Sequence, residues 1–377
     1  MTAHAVRLES AGATVTVVSP ERAVTDWSAR YFGPWWKAAE VPSESVCAGA
    51  VVTAAVDTKQ YDDVAFSVTQ APHTSTEYAR AQLLLAREVS AGAVRAVSPM
   101  QALAYRSEPG AGRLDVVGCQ TEDVATATAR LAREVMRGQL LRDGWAVLHA
   151  SAVVDESART VLTFGDKGAG KTTTALALAV GGRVGLLAND RVFVRPNDRG
   201  GVDVLPWPSA AALGLGLLKA LGWFAEVRER LTAGESLHPT QDRRVTDAIR
   251  AGDAMPLWEG GKELKTQVFP DQFPEWFGVP LATEGEAAVL VFPRIEAGAT
   301  PAVEETSRTV NDADFMSGRT EDRYPDVFGL LGVDGGGAEG ARSSVARLLS
   351  GLPHHAVVLG HDVRANADLL AKVTGRV

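Results

Sequence analysis

The chain has 377 residues, 46% of them hydrophobic and 22% charged, an ordinary globular composition with room for about two or three domains. Its formal net charge of −8 argues against a general nucleic-acid binder, which needs a basic face, but leaves room for a local basic pocket. The two cysteines, Cys47 and Cys119, lie far apart and give neither a disulfide framework nor a metal spacing, which fits a reducing cytoplasm.

Residues 1–20 carry Arg7 and Glu9 and no long apolar core, so they do not read as a signal peptide. Residues 13–18 and 46–56 are β-prone runs, residues 63–68 alternate at period two, and a helix is expected over 77–89. A Pro-Gly turn at 108–112 precedes a strand at 114–117. The aromatic cluster Trp27, Tyr31, Phe32, Trp35 and Trp36 offers a binding platform, although packing within the protein is the simpler reading. The expected domains are a β-rich α+β region, 1–120, that binds an acceptor or partner, and an α/β region, 121–377.

Residues 121–141 read as an amphipathic helix, with Val124, Ala127, Leu131, Val135 and Leu140 on one face and Arg130, Arg133 and Arg137 on another. A strand follows over 145–154 and contains one histidine, His149. After a turn at 155–159 and an apolar run at 161–164 comes Gly165-Asp166-Lys167-Gly168-Ala169-Gly170-Lys171-Thr172, which fits G-x-x-x-x-G-K-[ST] at every fixed position. Glycines let such a loop curl and turn its N–H groups toward phosphate oxygens. Lys171 is placed to reach the β- and γ-phosphates of a nucleoside triphosphate, ATP or GTP, and the Thr172 hydroxyl to sit on Mg²⁺. Thr173 opens the helix that follows, whose N-terminus adds partial positive charge beneath the phosphates.

The next strand, 184–188, ends in Asn189-Asp190, where ligands sit in open α/β sheets, and Asp190 can take a hydroxyl proton or hold the metal. A further strand covers 191–195. The apolar stretch 205–224 contains Pro206, Pro208, three glycines and Lys219, a poor membrane span and a better buried loop and helix. Residues 209–255 look mainly helical and 260–279 look like loop. Arg243, Arg244, Lys262 and Lys265 can hold phosphates or an acidic acceptor, but read more simply as solvated charge. Strands are expected at 287–292 and 354–359, helices at 341–349 and 365–373, and a flexible glycine-rich loop at 332–340. His354, His355 and His361 have no partner at zinc spacing.

Leu148-His149-Ala150-Ser151-Ala152-Val153, the GDKGAGKT loop and Leu187-Ala188-Asn189-Asp190 together resemble the catalytic domain of the HPr kinase/phosphorylase family, over about residues 121–196. That resemblance implies a P-loop kinase domain like the nucleotide-binding core of phosphoenolpyruvate carboxykinase. It also implies His149 in the active site, Lys171 on the phosphates, Thr172 at Mg²⁺ and Asp190 as base on the acceptor hydroxyl. Asn189 replaces the first member of the family's acidic pair, and neither its Arg-Gly-Leu-Gly signature nor its downstream Mg²⁺-binding glutamate is matched. The expectation is a divergent, cytoplasmic kinase in biosynthesis, able to assemble into homo-oligomers, acting on a hydroxyl-bearing peptide or small molecule rather than on nucleic acid or membrane. A nucleotide-binding module with weakened chemistry that holds a peptide or protein partner is the rival. ATP hydrolysis coupled to a partner's movement ranks last.

Overall fold

The computed structural model of the chain describes residues 3–43, 49–88, 92–181, 184–305, 308–316, 325–332 and 335–375. The chain is mixed α/β and forms two compact units. Unit 1 comprises Met1–Trp145 and Met316–Ala338; unit 2 comprises Ala146–Phe315 and Glu339–Val377. The division expected after residue 120 therefore falls after Trp145, because the helix expected to open the second domain packs on the first sheet. Among the described residues no helix is long and apolar enough to cross a membrane.

Unit 1 runs β1 (His4–Ser10), β2 (Ala13–Ser19), α1 (Arg22–Phe32), β3 (Ala39–Glu40), β4 (Ala50–Val56), α2 (Thr58–Gln70), β5 (Thr74–Tyr78), β6 (Ala81–Arg87), β7 (Val94–Ser98), β8 (Leu103–Glu108), β9 (Arg113–Gly118) and α3 (Thr121–Arg142). Its nine strands form one sheet in the order β3-β1-β2-β4-β9-β8-β7-β6-β5. β4 is parallel to both β2 and β9, and the other pairs are antiparallel.

Two expectations fail here for physical reasons. The alternation at 63–68 belongs to α2, where Val64 and Val68, one turn apart, are buried and Asp57 caps the N-terminus by accepting from Gln60 N. The helix expected over 77–89 is instead the β5–β6 hairpin. Ala79 and Arg80 take left-handed backbone at its turn, and pairing with β7 overrides the helix propensity of the Ala-Leu-Arg run. Of these two stretches, Val89 lies outside the described residues, as do Val46, Cys47 and Ala48 of the 46–56 run.

α3 is also not simply amphipathic. Arg133 and Arg137 are buried, and Arg137 donates to Glu134 Oε2 (2.8 Å) and, through Nε, to Gly335 O (2.9 Å). Tyr31, Phe32, Trp35 and Trp36 are buried, with Phe32 stacked on Trp36, so these four are packing; Trp27 is half-buried.

Unit 2 begins with β10 (Ala146–Leu148), β11 (Ser151–Asp155), β12 (Arg159–Thr163), α4 (Lys171–Gly181), β13 (Val184–Ala188), β14 (Val192–Pro196) and β15 (Val202–Pro206). There follow β16 (Ala211–Leu213), α5 (Leu215–Ala220), α6 (Phe224–Thr232), α7 (Arg243–Ala251), β17 (Leu257–Glu259), β18 (Lys262–Leu264), β19 (Thr266–Val268) and α8 (Gln272–Phe277). The unit closes with β20 (Gly285–Ile295), β21 (Ala302–Glu304), α9 (Glu339–Leu349), β22 (His354–Leu359) and α10 (Val363–Val373). The stretch 260–279 is thus not loop, and 209–255 contains a strand as well as helices. In the expected 332–340 loop, residues 333–334 lie outside the described residues and α9 already begins at Glu339.

The main sheet of unit 2 runs β10-β14-β15-β20-β12-β11-β13, with β22 parallel to the far half of β20 and antiparallel to β21. α10 packs on α4, and α9 packs on β14. The core between sheet and α9 includes Leu148, Phe164, Leu187, Phe292, Phe315, Val345 and Leu349. The single strand expected over 145–154 is two, broken at His149-Ala150. The break has a partner. β11 pairs with β13 through Ala152↔Ala188, and β10 pairs with β14 through Leu148↔Val192. Residues 149–151 and 189–191 separate these pairs on the two sides, three residues against three, so the antiparallel register is kept across the gap. The two segments form one ribbon that opens in its middle and links the two ends of the sheet.

Candidate active site

β12 and β13 are both antiparallel to β11 and so parallel to one another, which puts the ends at Thr163 and Ala188 on one edge of the sheet. The glycine-rich loop, 165–170, leaves that edge and enters α4. Gly165, Gly168 and Gly170 have φ of 147°, 91° and 105°, a region closed to most side chains. A Cβ at Gly165 would meet Ala169 Cβ at 2.7 Å, and one at Gly170 would meet Ile295 Cγ1 at 2.6 Å, so the loop is packed against its own body and against β20. Asp166, Lys167 and Gly168 are exposed, whereas Ala169, Lys171, Thr172 and Thr173 are half-buried. Lys171 Nζ donates to Gly165 O at 2.6 Å and to Asp166 O at 3.3 Å, a lysine folded over the concave side of its own loop.

The ribbon opening faces this loop. Thr172 Oγ1 donates to Asn189 O at 3.3 Å, and Ser151 Oγ to the same carbonyl at 2.6 Å. Asn189 is buried, and its Oδ1 accepts from Ser209 Oγ (3.3 Å). Asp190 is half exposed and its Oδ2 accepts from Arg191 Nη1 at 2.7 Å. Arg191 Nε donates to His149 Nε2 at 3.1 Å, and the guanidinium lies 6.0 Å from the centre of the Trp207 ring. His149 N donates to Asp314 O (2.8 Å), and Asp314 is held by Arg308 Nη2 (2.6 Å), which lies over the Phe292 ring.

The residues singled out from sequence, His149, Gly165 to Thr173 and Asp190, thus come from three strand ends to one edge. Ser151, Arg191, Ser209 and Asp314 were not foreseen. Arg191 is the one with a signal, since it adjoins Asp190; Asp314 has none, because it arrives from a turn 165 positions after His149. The other basic groups lie elsewhere in the fold. Arg244 binds Asp242 and Glu259 at the start of α7, and its hydrogen bonds hold both carboxyls below their ordinary range. Arg243 is exposed beside Asp247, Lys262 stands on the β17–β18 hairpin, and His354 Nδ1 bonds Leu352 O.

A cavity of about 780 Å³ lies elsewhere in unit 2, lined by Glu156, Val180, Trp223, Phe277 and Glu284, at the opposite end of β12 and α4 from the loop. Size alone does not make it the reactive site, because it holds neither the loop nor Asp190. Among the described residues no group of three or more His, Cys, Asp or Glu side chains is arranged to hold a metal ion. At the loop, the donors that fit Mg²⁺ are one hydroxyl, Thr172, and one carboxylate, Asp190, a set that leaves the remaining positions to phosphate and water oxygens.

The chain matches no protein-family model, and no curated protein matches it.

Proposed function

We propose that unit 2 is a P-loop kinase domain of the HPr kinase/phosphoenolpyruvate carboxykinase-like type, transferring the γ-phosphoryl group of ATP or GTP to a hydroxyl of a peptide, protein or small molecule. The observation that carries this reading is the loop itself. Three left-handed glycines lead into a helix whose first residues are Lys171 and Thr172, with Asp190 on the same sheet edge. Backbone N–H groups of the loop and the start of α4 bind the phosphates. Lys171 exchanges the carbonyls of Gly165 and Asp166 for β- and γ-phosphate oxygens. Thr172, and Asp190 through a water, are the residues that would hold Mg²⁺, which when bound would neutralise charge on those oxygens.

Asp190 takes the proton of the acceptor hydroxyl. The acceptor oxygen bonds to the γ-phosphorus as the bond to the β–γ bridging oxygen breaks, and the nucleoside diphosphate leaves. Such a site works by positioning and charge neutralisation, so few side chains suffice. The setting this reading assigns is cytoplasmic and biosynthetic. Its rival is a nucleotide-responsive binding module with weakened chemistry, favoured by Asn189, an uncharged amide where the resembled family has an acid. Equilibrium titration with MgATP tests the reading's first half. The wild-type protein is expected to bind and Lys171→Ala to bind at least tenfold more weakly; equal binding by both would remove the loop from the account.

A further inference from the structure

Arg191 stands directly across the ribbon opening from His149, and Ser151 stands across from Asn189, because the two pairs that flank the gap, Leu148↔Val192 and Ala152↔Ala188, share one register; β11 and β13 slip by one residue beyond Ala152. Both cross-gap pairs are hydrogen-bonded by side chains in place of the missing ladder: Arg191 Nε to His149 Nε2 at 3.1 Å, and Ser151 Oγ to Asn189 O at 2.6 Å. The same guanidinium holds Asp190 Oδ2 at 2.7 Å. Arginine therefore joins the two side chains, one on each strand of the ribbon, that carry the chemistry. Its side chain is about 20% exposed, and Trp207, itself buried against Phe193, lies beneath the fork.

The chemistry of the donors fixes more than position. A guanidinium has no acceptor atom, so its Nε can only donate. His149 Nε2 must then be the bare nitrogen, and a neutral ring must carry its proton on Nδ1. On the acid, Arg191 occupies Oδ2, which orients Oδ1 as the oxygen that meets an incoming hydroxyl.

We propose that Arg191 is the positioning residue of this site: it holds His149 as the Nδ1–H tautomer and fixes the carboxylate of Asp190 so that Oδ1 faces the acceptor. The second half rests on the kinase reading given above; the first half does not. Lysine cannot replace it, since a single ammonium lacks the planar fork that spans both partners.

The test has two independent readouts. Nitrogen-15 NMR of the imidazoles in the full-length protein, at a pH where the rings are neutral and with His149 assigned through His149→Asn, is expected to show His149 protonated at Nδ1. In Arg191→Met, which keeps an apolar stem over Trp207, that preference is expected to be lost. A wild-type Nε2–H tautomer, or an unchanged His149 spectrum in Arg191→Met, overturns the proposal. The second readout is steady-state phosphate release from MgATP, with water as the probe acceptor. Arg191→Lys and Arg191→Met are expected to lower kcat by about 10²-fold, the scale of a misplaced catalytic group, with KM for MgATP within about threefold of wild type. An increase in KM with kcat unchanged overturns it, because it would make Arg191 a nucleotide ligand. Should Arg191→Met fail to fold, the wild-type tautomer and Arg191→Lys still decide. Should the wild type release no phosphate, the second half of the proposal falls while the tautomer result stands or falls alone.

Discussion

At the scale of residues, the glycine-rich loop divides into positions held by space and positions held by backbone alone. Gly170 combines φ of 105° with a Cβ path blocked by Ile295 at 2.6 Å, whereas a Cβ at Gly168 (φ 91°) would meet nothing within 4 Å. Gly168→Ala is therefore expected to cost only left-handed strain, about 1 kcal/mol. Gly170→Ala must also move β20 or the loop, at roughly 2–3 kcal/mol in all. Thermal unfolding of the two variants checks the order; equal losses would mean that Ile295 yields freely. The loop was legible at this scale because a motif fixes backbone chemistry in consecutive positions. Asp314 was not, and Arg191 only as the neighbour of Asp190, since their meaning comes from what lies opposite in a ribbon and across a turn.

At the scale of elements, the amphipathic helix and the apolar strands read correctly: α3, β13, β20, β22 and α10 fall within a few residues of expectation. The misreadings were segments whose fate was set by tertiary partners. β6 is a strand because β5 and β7 flank it, in spite of its helix-forming residues. Residues 145–154 look continuous because each half is apolar, yet the halves pair with different strands. α10 is held at its start by a cap. Asp362 caps it by accepting from Arg364 N and Ala365 N, both at 3.0 Å, and the helix packs on α4, which carries Lys171 and Thr172. Asp362→Ala is expected to lower stability by about 1 kcal/mol. Denaturant unfolding checks this, and a change below a few tenths would show that the cap is redundant. Strand β8 gives a pH dependence. Burial pushes the Tyr105 hydroxyl above its ordinary value, opposed by Arg130. The neutral phenol is thus the form the fold accepts, and its stabilising effect is present below the unfolded-state value of about 10 and lost at higher pH. Tyr105→Phe should flatten the fall of stability above that pH; an unaltered alkaline limb would assign the fall to other groups.

At the scale of the whole molecule, the chain leaves unit 2 after Phe315, returns to unit 1, and re-enters unit 2 at Glu339. That path has no sequence signature, because it depends on contacts made far from the segment that makes them. Within unit 1 the returning stretch is anchored on α3 by Arg137 and Arg142, whose guanidinium Nη1 donates to Leu330 O (2.8 Å). Gly138 admits it, since a Cβ there would lie 2.2 Å from Leu330 O. Glu134 neutralises the fully buried Arg137, so Glu134→Ala is expected to destabilise unit 1 by roughly 3–5 kcal/mol. Loss of amide protection in α3 and in residues 325–332, followed by hydrogen exchange, is the signature to seek; full protection would place the anchor elsewhere.

The central claim is that Asp190 works as a base beside a phosphate grip. The most direct measurement is transfer or release of the γ-phosphate from Mg²⁺-ATP by wild type and Asp190→Asn, each shown to bind nucleotide by titration. The account predicts nucleotide binding within a few-fold of wild type and a rate lower by about 10²–10⁴ for Asp190→Asn. Wild-type turnover by Asp190→Asn would contradict it.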